Sequence, residues 1–349
     1  MNEKTLFKSA LVTLFIVVSV VLGYELYFRS QGVKVDYDDG TSLWSDKRAK
    51  TNQPAENAVV FIGSSRIKYD LDISTWNALT KVEAVQLAIE GSCPRPALED
   101  LANDPNFKGK LVIDVTEGLF FSNAPPNLEL PLKNIKYFHD RTPAQIVGFE
   151  LNKVLESQLV ILDKNNYSLN AQLDALELKS RPGVFMMPIF PMNFGRTTFD
   201  RQAYMTDSFV ADAKECKKVI DIWGFFASLS KGAPPTPQAA YDAIFKSVAE
   251  QVNKIKARGG EVVFVRTPSS GPYFQGESMA FPRDKFWDRL LKETNSPGIH
   301  FKDYPAIANF DCPELSHLKK SDAVIFTKHF FELLSQQKGF AFLKNKSTN

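Results

Sequence analysis

The sequence predicts an α/β protein: a three-layer sandwich with a central, mainly parallel sheet, a helical insertion and an N-terminal transmembrane helix. Three observations lead there. Short apolar runs rich in β-branched residues, at 58–62, 82–88, 110–117 and 261–266, end in glycine-marked or polar exits. Continuous runs of this kind suit strands buried on both faces, as in parallel sheets. Stretches of helical pattern separate them, the alternation of βαβ units. Finally, Ser9 to Tyr24 is almost wholly apolar, and Leu26, Tyr27 and Phe28 extend the run past Glu25.

The apolar run has about 18 to 20 residues, near the length a helix needs to cross a bilayer. Lys4 and Lys8 precede it, and positive charge stays on the cytoplasmic side. Residues 1–8 then form a cytoplasmic tail and 9–28 a signal anchor. Tyr24, Tyr27 and Phe28 would sit at the outer interface. A cleaved signal peptide is the rival, but no small-residue cleavage site follows Gly23. The expectation is a single-pass protein of the cytoplasmic (inner) membrane, with the bilayer as partner through 9–28 and the C-terminal domain outside.

Residues 29–57 are polar and read as a connector, with Trp44 docked on the body. The domain proper is expected at 58–340, with a tail at 341–349. After the first strand, 69–79 looks helical, with Asp70 or Asp72 near its start and Trp76 on its apolar side. A second strand, 82–88, ends in Ile89-Glu-Gly-Ser-Cys-Pro94, and a helix from Pro96 to Asn103 follows. The third strand carries Asp114, either a structural residue or a catalytic one. From about 118 to 237 the pattern changes to Phe120-Phe121, Pro125-Pro126, helical stretches at 142–162 and 211–229, and a Met- and aromatic-rich segment at 186–192. This reads as a helical insertion whose apolar clusters are core. Tyr241 to Arg258 is an amphipathic helix with Ile244, Val248, Val252 and Ile255 on one face, capped by Gly259-Gly260. Then come the fourth strand, a helix at 282–293, a short strand at 299–303, the loop 311–318 and a closing helix at 321–336.

With 349 residues, 44% hydrophobic and 28 Phe, the chain can bury a large core. A formal net charge of +2 gives no basic patch for nucleic acid. Three cysteines fit a reducing compartment, although export would permit a disulfide. Cys93 and Cys312 fall in segments expected at the same end of the sheet and are a candidate pair; the alternative is three buried free thiols.

The chemistry is expected at Gly63-Ser64-Ser65-Arg66, just after the first strand. Glycine allows a sharp exit, and open α/β sheets bind ligands at the carboxyl ends of their strands. Ser65 is there placed as a nucleophile, unless the stretch is an ordinary turn. A nucleophilic serine needs a base and a carboxylate to orient it. Of the four histidines, only His317 follows a carboxylate three residues earlier, Glu314, so one loop could deliver both. An ordinary loop histidine is the alternative. Arg66 suits either an anionic substrate group or a structural ion pair. The His and Asp spacing does not support a metal-dependent phosphoesterase, and no cofactor is expected.

At these residues the chain resembles the SGNH (GDSL-type) hydrolase superfamily. The first family block, Gly-Asp-Ser, matches Gly63-Ser64-Ser65, with Ser64 for Asp. The second block's glycine matches Gly91, whose N–H would join that of Ser65 in an oxyanion hole. The last block, Asp-x-x-His, matches Glu314-Leu-Ser-His317. The third block, Gly-x-Asn-Asp, is missing: Val115-Thr-Glu-Gly118 stands there, with Thr116 or Glu117 where the Asn donor belongs. Losing such a donor costs roughly 10²- to 10³-fold in rate, unless Arg66 or Thr116 substitutes. The resemblance extends to membrane-tethered O-acetyltransferases of envelope polysaccharides and accessory proteins of teichoic-acid D-alanylation. It implies a serine esterase or O-acyltransferase acting on an envelope or exported polysaccharide, with a membrane acyltransferase as donor partner. The alternative is a catalytically inactive binding or scaffold protein of such an assembly, favoured by Ser64 and Glu117.

Overall fold

The structure is a computed structural model that describes residues 2–54, 56–174, 176, 187–229 and 235–347. In chain order the elements begin with helices α1 (Glu3–Ser30) and α2 (Thr41–Ala49), then strand β1 (Ala58–Ile62), α3 (Ser65–Asp70), α4 (Ile73–Thr80), β2 (Glu83–Gln86) and α5 (Arg95–Asn103). Next are β3 (Lys110–Asp114), α6 (Glu117–Phe120), α7 (Pro125–Asp140), α8 (Pro143–Glu156), α9 (Leu169–Asp174) and the ribbon strands β4 (Arg196–Thr197) and β5 (Ala203–Tyr204). The chain continues with α10 (Asp207–Ala211), α11 (Ala213–Leu229), α12 (Gln238–Ala257), β6 (Glu261–Arg266) and α13 (Gly271–Ala280). It closes with α14 (Trp287–Thr294), β7 (Gly298–His300), α15 (Lys320–Leu334) and α16 (Phe342–Ser347).

Two compact units emerge: Met1–Asp38 with Thr142–Met187, and Asp39–Arg141 with Pro188–Asn349. In the first, α1 is a helix long and apolar enough to span a membrane. Its Glu25 is buried and accepts the N–H groups of Val160 (3.0 Å) and Ile161 (2.7 Å), satisfying the start of a short 3-10 turn at Val160–Leu162. The Tyr24 hydroxyl donates to the Tyr167 carbonyl. Thr142 and Gln145 form a capping box that starts α8.

The second unit is the α/β body. Its sheet has the order β2-β1-β3-β6-β7, every pair parallel. The side chains of β1 alternate: Ala58, Val60 and Ile62 join the core cluster with Leu98, Phe245 and Val252, whereas Val59 and Phe61 join the one with Trp76, Phe326 and Phe330. Helices thus cover both faces, which is why the strands read as unbroken apolar runs. The chain order reverses between β1 and β3, so the exits of these two strands flank the crevice where such sheets bind ligands.

The structure departs from the sequence reading in several places, among them the expected tail, which holds α16 with Leu343 buried, and the third strand, which ends at Asp114. The connector expected at 29–57 holds α2. Trp44 is buried, with its Nε1 donating to the Leu87 carbonyl (3.0 Å), and the buried Arg48 pairs with Asp100 and Asp104. A segment buried through ion pairs has no apolar signature. The described residues of the expected insertion, 118–237, fall in both units, because 142–187 groups with α1. Helices α3, α7 and α13 were not anticipated; α13 begins in the Gly- and Pro-containing exit of β6, and α7 at Pro125-Pro126 within the expected insertion. Part of the Met-rich segment lies outside the described residues.

Candidate functional site

The site grows from the exit of β1. A Cβ on Gly63 would come within 2.6 Å of both Asp114 Cβ and Ile67 Cγ2, so only glycine fits between the end of β3 and α3. Ser64 follows, extended and buried, and α3 begins at Ser65. Ser65 is half-buried, and its hydroxyl has no hydrogen-bond partner among the described residues.

The loop 311–318 comes to the same rim by several ties to α3. The Leu318 N–H donates to Asp70 Oδ1 (2.9 Å), Arg66 Nε to Ser316 Oγ (3.3 Å), and the Tyr69 ring lies 4.6 Å from that of His317. Ser65 and Tyr69 are four residues apart and share one side of α3. The loop is also tied to the exit of β6, since Leu315 O accepts the Ser270 N–H and Ser270 Oγ accepts that of Cys312. Leu315 sits at φ 76°, a left-handed conformation disfavoured for a bulky residue and found where surrounding contacts enforce it.

Within this loop Glu314 Oε1 accepts both the His317 N–H (2.6 Å) and the Nδ1–H (2.9 Å), while Oε2 accepts Trp223 Nε1 (2.6 Å). With Glu314 as acceptor, Nδ1 is the donor nitrogen of the ring and Nε2 is the one left over. Nε2 is buried and has no partner among the described residues. Burial disfavours the charged imidazole, but the Glu314 charge and hydrogen bond outweigh it and hold the His317 pKa above its usual 6.5. Phe194 and Trp223 box the ring, each with its centroid 6.0 Å away. Read from sequence as plain core, these aromatics are the wall of the histidine.

Each remaining expected residue has a defined place. Thr116 does not offer a free hydroxyl: it accepts from Ser64 Oγ (2.8 Å) and donates to Asp114 Oδ2 (3.1 Å). Glu117 is not an isolated charge, because Oε1 accepts from Arg266 Nε (3.2 Å). Arg66 is buried and ion-paired with Glu277, which in turn accepts from Arg266 Nη2 (2.6 Å). Burial raises the Glu277 pKa, but Arg66 and Arg266 prevail and hold it at about 2. An alternating chain, Arg66–Glu277–Arg266–Glu117, thus lines the exits of β1, β3 and β6. Gly91 is exposed and left-handed (φ 62°), in a turn beside the β1 exit, since Ile89 N–H donates to Gly63 O (3.2 Å). The proposed disulfide is not formed: Cys93, Cys216 and Cys312 are free and buried. Cys312 belongs to the core on one face of the sheet, whereas Cys93 lies against the Phe120 carbonyl, whose residue belongs to the core on the other.

Sequence reasoning missed Asp70, Arg266, Glu277 and Trp223. Asp70 is fully buried, and burial pushes its pKa up to about 7 against the pull of His317 and the Leu318 N–H. Burial likewise pushes Asp114 up to about 6, opposed by Arg66 and Arg266. A charge at the end of a buried strand, as at Arg266, was the available signal. Nothing local marked Glu277 or Trp223. Among the described residues no cluster of His, Cys, Asp and Glu could hold a metal ion. No protein-family model matches the chain, and no curated protein matches it in sequence.

Proposed function

We propose that the protein is a membrane-anchored, extracytoplasmic, SGNH-like serine esterase or O-acyltransferase acting on an envelope or exported polysaccharide. The observation that carries this reading is the Glu314–His317 pair, with its buried, unpartnered Nε2, on the rim where α3 begins with Ser65. In the reaction Ser65 Oγ attacks the acyl carbonyl, and its proton passes to His317 Nε2. Glu314 orients the imidazole and favours its charged form. The backbone N–H groups of Ser65 and Gly91 would hold the oxyanion. The imidazolium then protonates the leaving alcohol, and an acceptor hydroxyl or water resolves the acyl-serine. Ser65 Oγ makes no hydrogen bond to His317 Nε2, which is buried and without a partner among the described residues, so the proposed proton transfer requires the two to meet when substrate binds. With Lys4 and Lys8 kept in the cytoplasm, α1 would place the α/β body outside. A membrane acyltransferase would supply the acyl group.

The test is labelling of the detergent-solubilised full chain with a fluorophosphonate probe. Labelling that is lost in Ser65→Ala and sharply reduced in His317→Ala supports the reading. No labelling of a folded wild-type protein overturns it. One observation favours a non-catalytic binding protein on the same fold: where the family has its third oxyanion donor, the chain has Glu117 locked to Arg266. Turnover of an acyl nitrophenyl ester that depends on Ser65 would exclude that alternative.

A further inference from the structure

We propose that α8 is a second membrane contact, an interfacial helix whose outward face rests in the lipid headgroup region beside the anchor. In an ordinary surface helix the apolar stripe faces the core and the polar side faces water. In α8 this is reversed. Val147, Leu151, Val154 and Leu155 follow the i, i+4, i+7, i+8 spacing of a single face, and each is between 52% and 66% exposed. Ala144 and Gly148 continue that face and are exposed too. The opposite side carries Phe149, Asn152 and Lys153, all half-buried, and the buried Glu156, which accepts from Asn152. Apart from Phe149, the groups turned inward are polar, while the outward face is aliphatic, and such a face is matched to an apolar exterior.

The choice of lipid over a protein partner rests on the place of α8 in the chain. It belongs to the same compact unit as α1. Glu25, at the end of the apolar run of α1, bonds the N–H groups of Val160 and Ile161. Val160 lies four positions after Glu156, so the last turn of α8 lies within about 14 Å of that contact. The apolar face is therefore tied to the level at which α1 would leave the bilayer. In α9, within the same unit, Leu169 and Leu173 are also exposed one helical turn apart. Such faces bury themselves about 5–10 Å deep, at the headgroup and acyl boundary. The proposal rests on the reading of α1 as a bilayer anchor.

The test uses the full chain reconstituted in vesicles of phosphatidylcholine and phosphatidylglycerol, with an environment-sensitive fluorophore on Leu151→Cys. The native thiols are buried, and wild type treated alike is the control. The expected result is blue-shifted emission and loss of fluorescence with lipids carrying a nitroxide on the upper acyl chain. A second label, on Val17→Cys in α1, reports on the anchor through a nitroxide deep in the chain. Water-like emission at 151 with quenching at 17 overturns the proposal and leaves the anchor standing. Blue-shifted emission at 151 that no lipid nitroxide quenches overturns it in favour of a protein partner. Absence of quenching at 17 overturns both.

Discussion

Replacing Glu314 with Gln tests the geometry on which the proposed chemistry depends. The carboxylate takes three donors: the backbone N–H and Nδ1–H of His317 on Oε1, and Trp223 Nε1 on Oε2. An amide of the same shape has one acceptor oxygen. If that oxygen faces His317, the amide NH2 meets the Trp223 N–H, donor against donor. If it is turned about, both His317 donors lose their partner. In the kinder arrangement Trp223 Nε1 keeps the residue 314 carbonyl (3.1 Å), but the buried amide NH2 has no acceptor, a cost of about 1–3 kcal/mol. The charge that holds the His317 pKa above 6.5 is removed as well. A group whose folded pKa lies above its unfolded value adds stability below the unfolded pKa and loses it as pH rises through the folded one. Wild type should therefore lose this increment as pH climbs past 6.5, and Glu314→Gln should flatten that part of the profile. The assay is urea unfolding of the full chain in detergent, followed by tryptophan fluorescence at several pH values. Ester turnover should fall by roughly 10³- to 10⁴-fold, because the carboxylate charge that steadies the imidazolium is gone. A variant with the wild-type midpoint and pH slope would refute the claim that Glu314 holds this imidazole.

Other outcomes follow from the same network. Asp70→Asn should raise the unfolding midpoint more at pH 8 than at pH 5: the folded pKa of about 7 exceeds that of a free carboxylate, so the wild-type penalty builds as pH rises and the side chain ionises. Equal effects at both pH values would count against it. Glu277→Gln should cost about 3–5 kcal/mol in denaturant unfolding, because it leaves buried Arg66 and Arg266 without the carboxylate they share. Gly63→Ala should destabilise by roughly 1–3 kcal/mol, since its Cβ would press on Asp114 and Ile67. It should also reduce probe labelling at Ser65 by displacing the start of α3. Thiol titration in denaturant without reductant should find all three cysteines free; a result of one would restore the disulfide.

The sequence by itself carried the features written in local pattern. The runs at Ala58–Ile62, Lys110–Asp114 and Glu261–Arg266 are strands because buried parallel strands must be apolar on both faces. The stripe Ile244, Val248, Val252, Ile255 is the buried face of α12, and the apolar stretch before Glu25 is α1. Pairing of Glu314 with His317 was also legible, since three residues in one loop keep the partners close. Only the tertiary structure decided which distant groups meet. Arg66, Glu277, Arg266 and Glu117 come from four segments and are buried through mutual charge, which leaves no periodic mark. Trp223 reaches Glu314 across 91 positions of chain. Cys93 and Cys312 are kept apart because the chain passes from one face of the sheet to the other, and which face a connection takes is settled by packing that no single segment encodes.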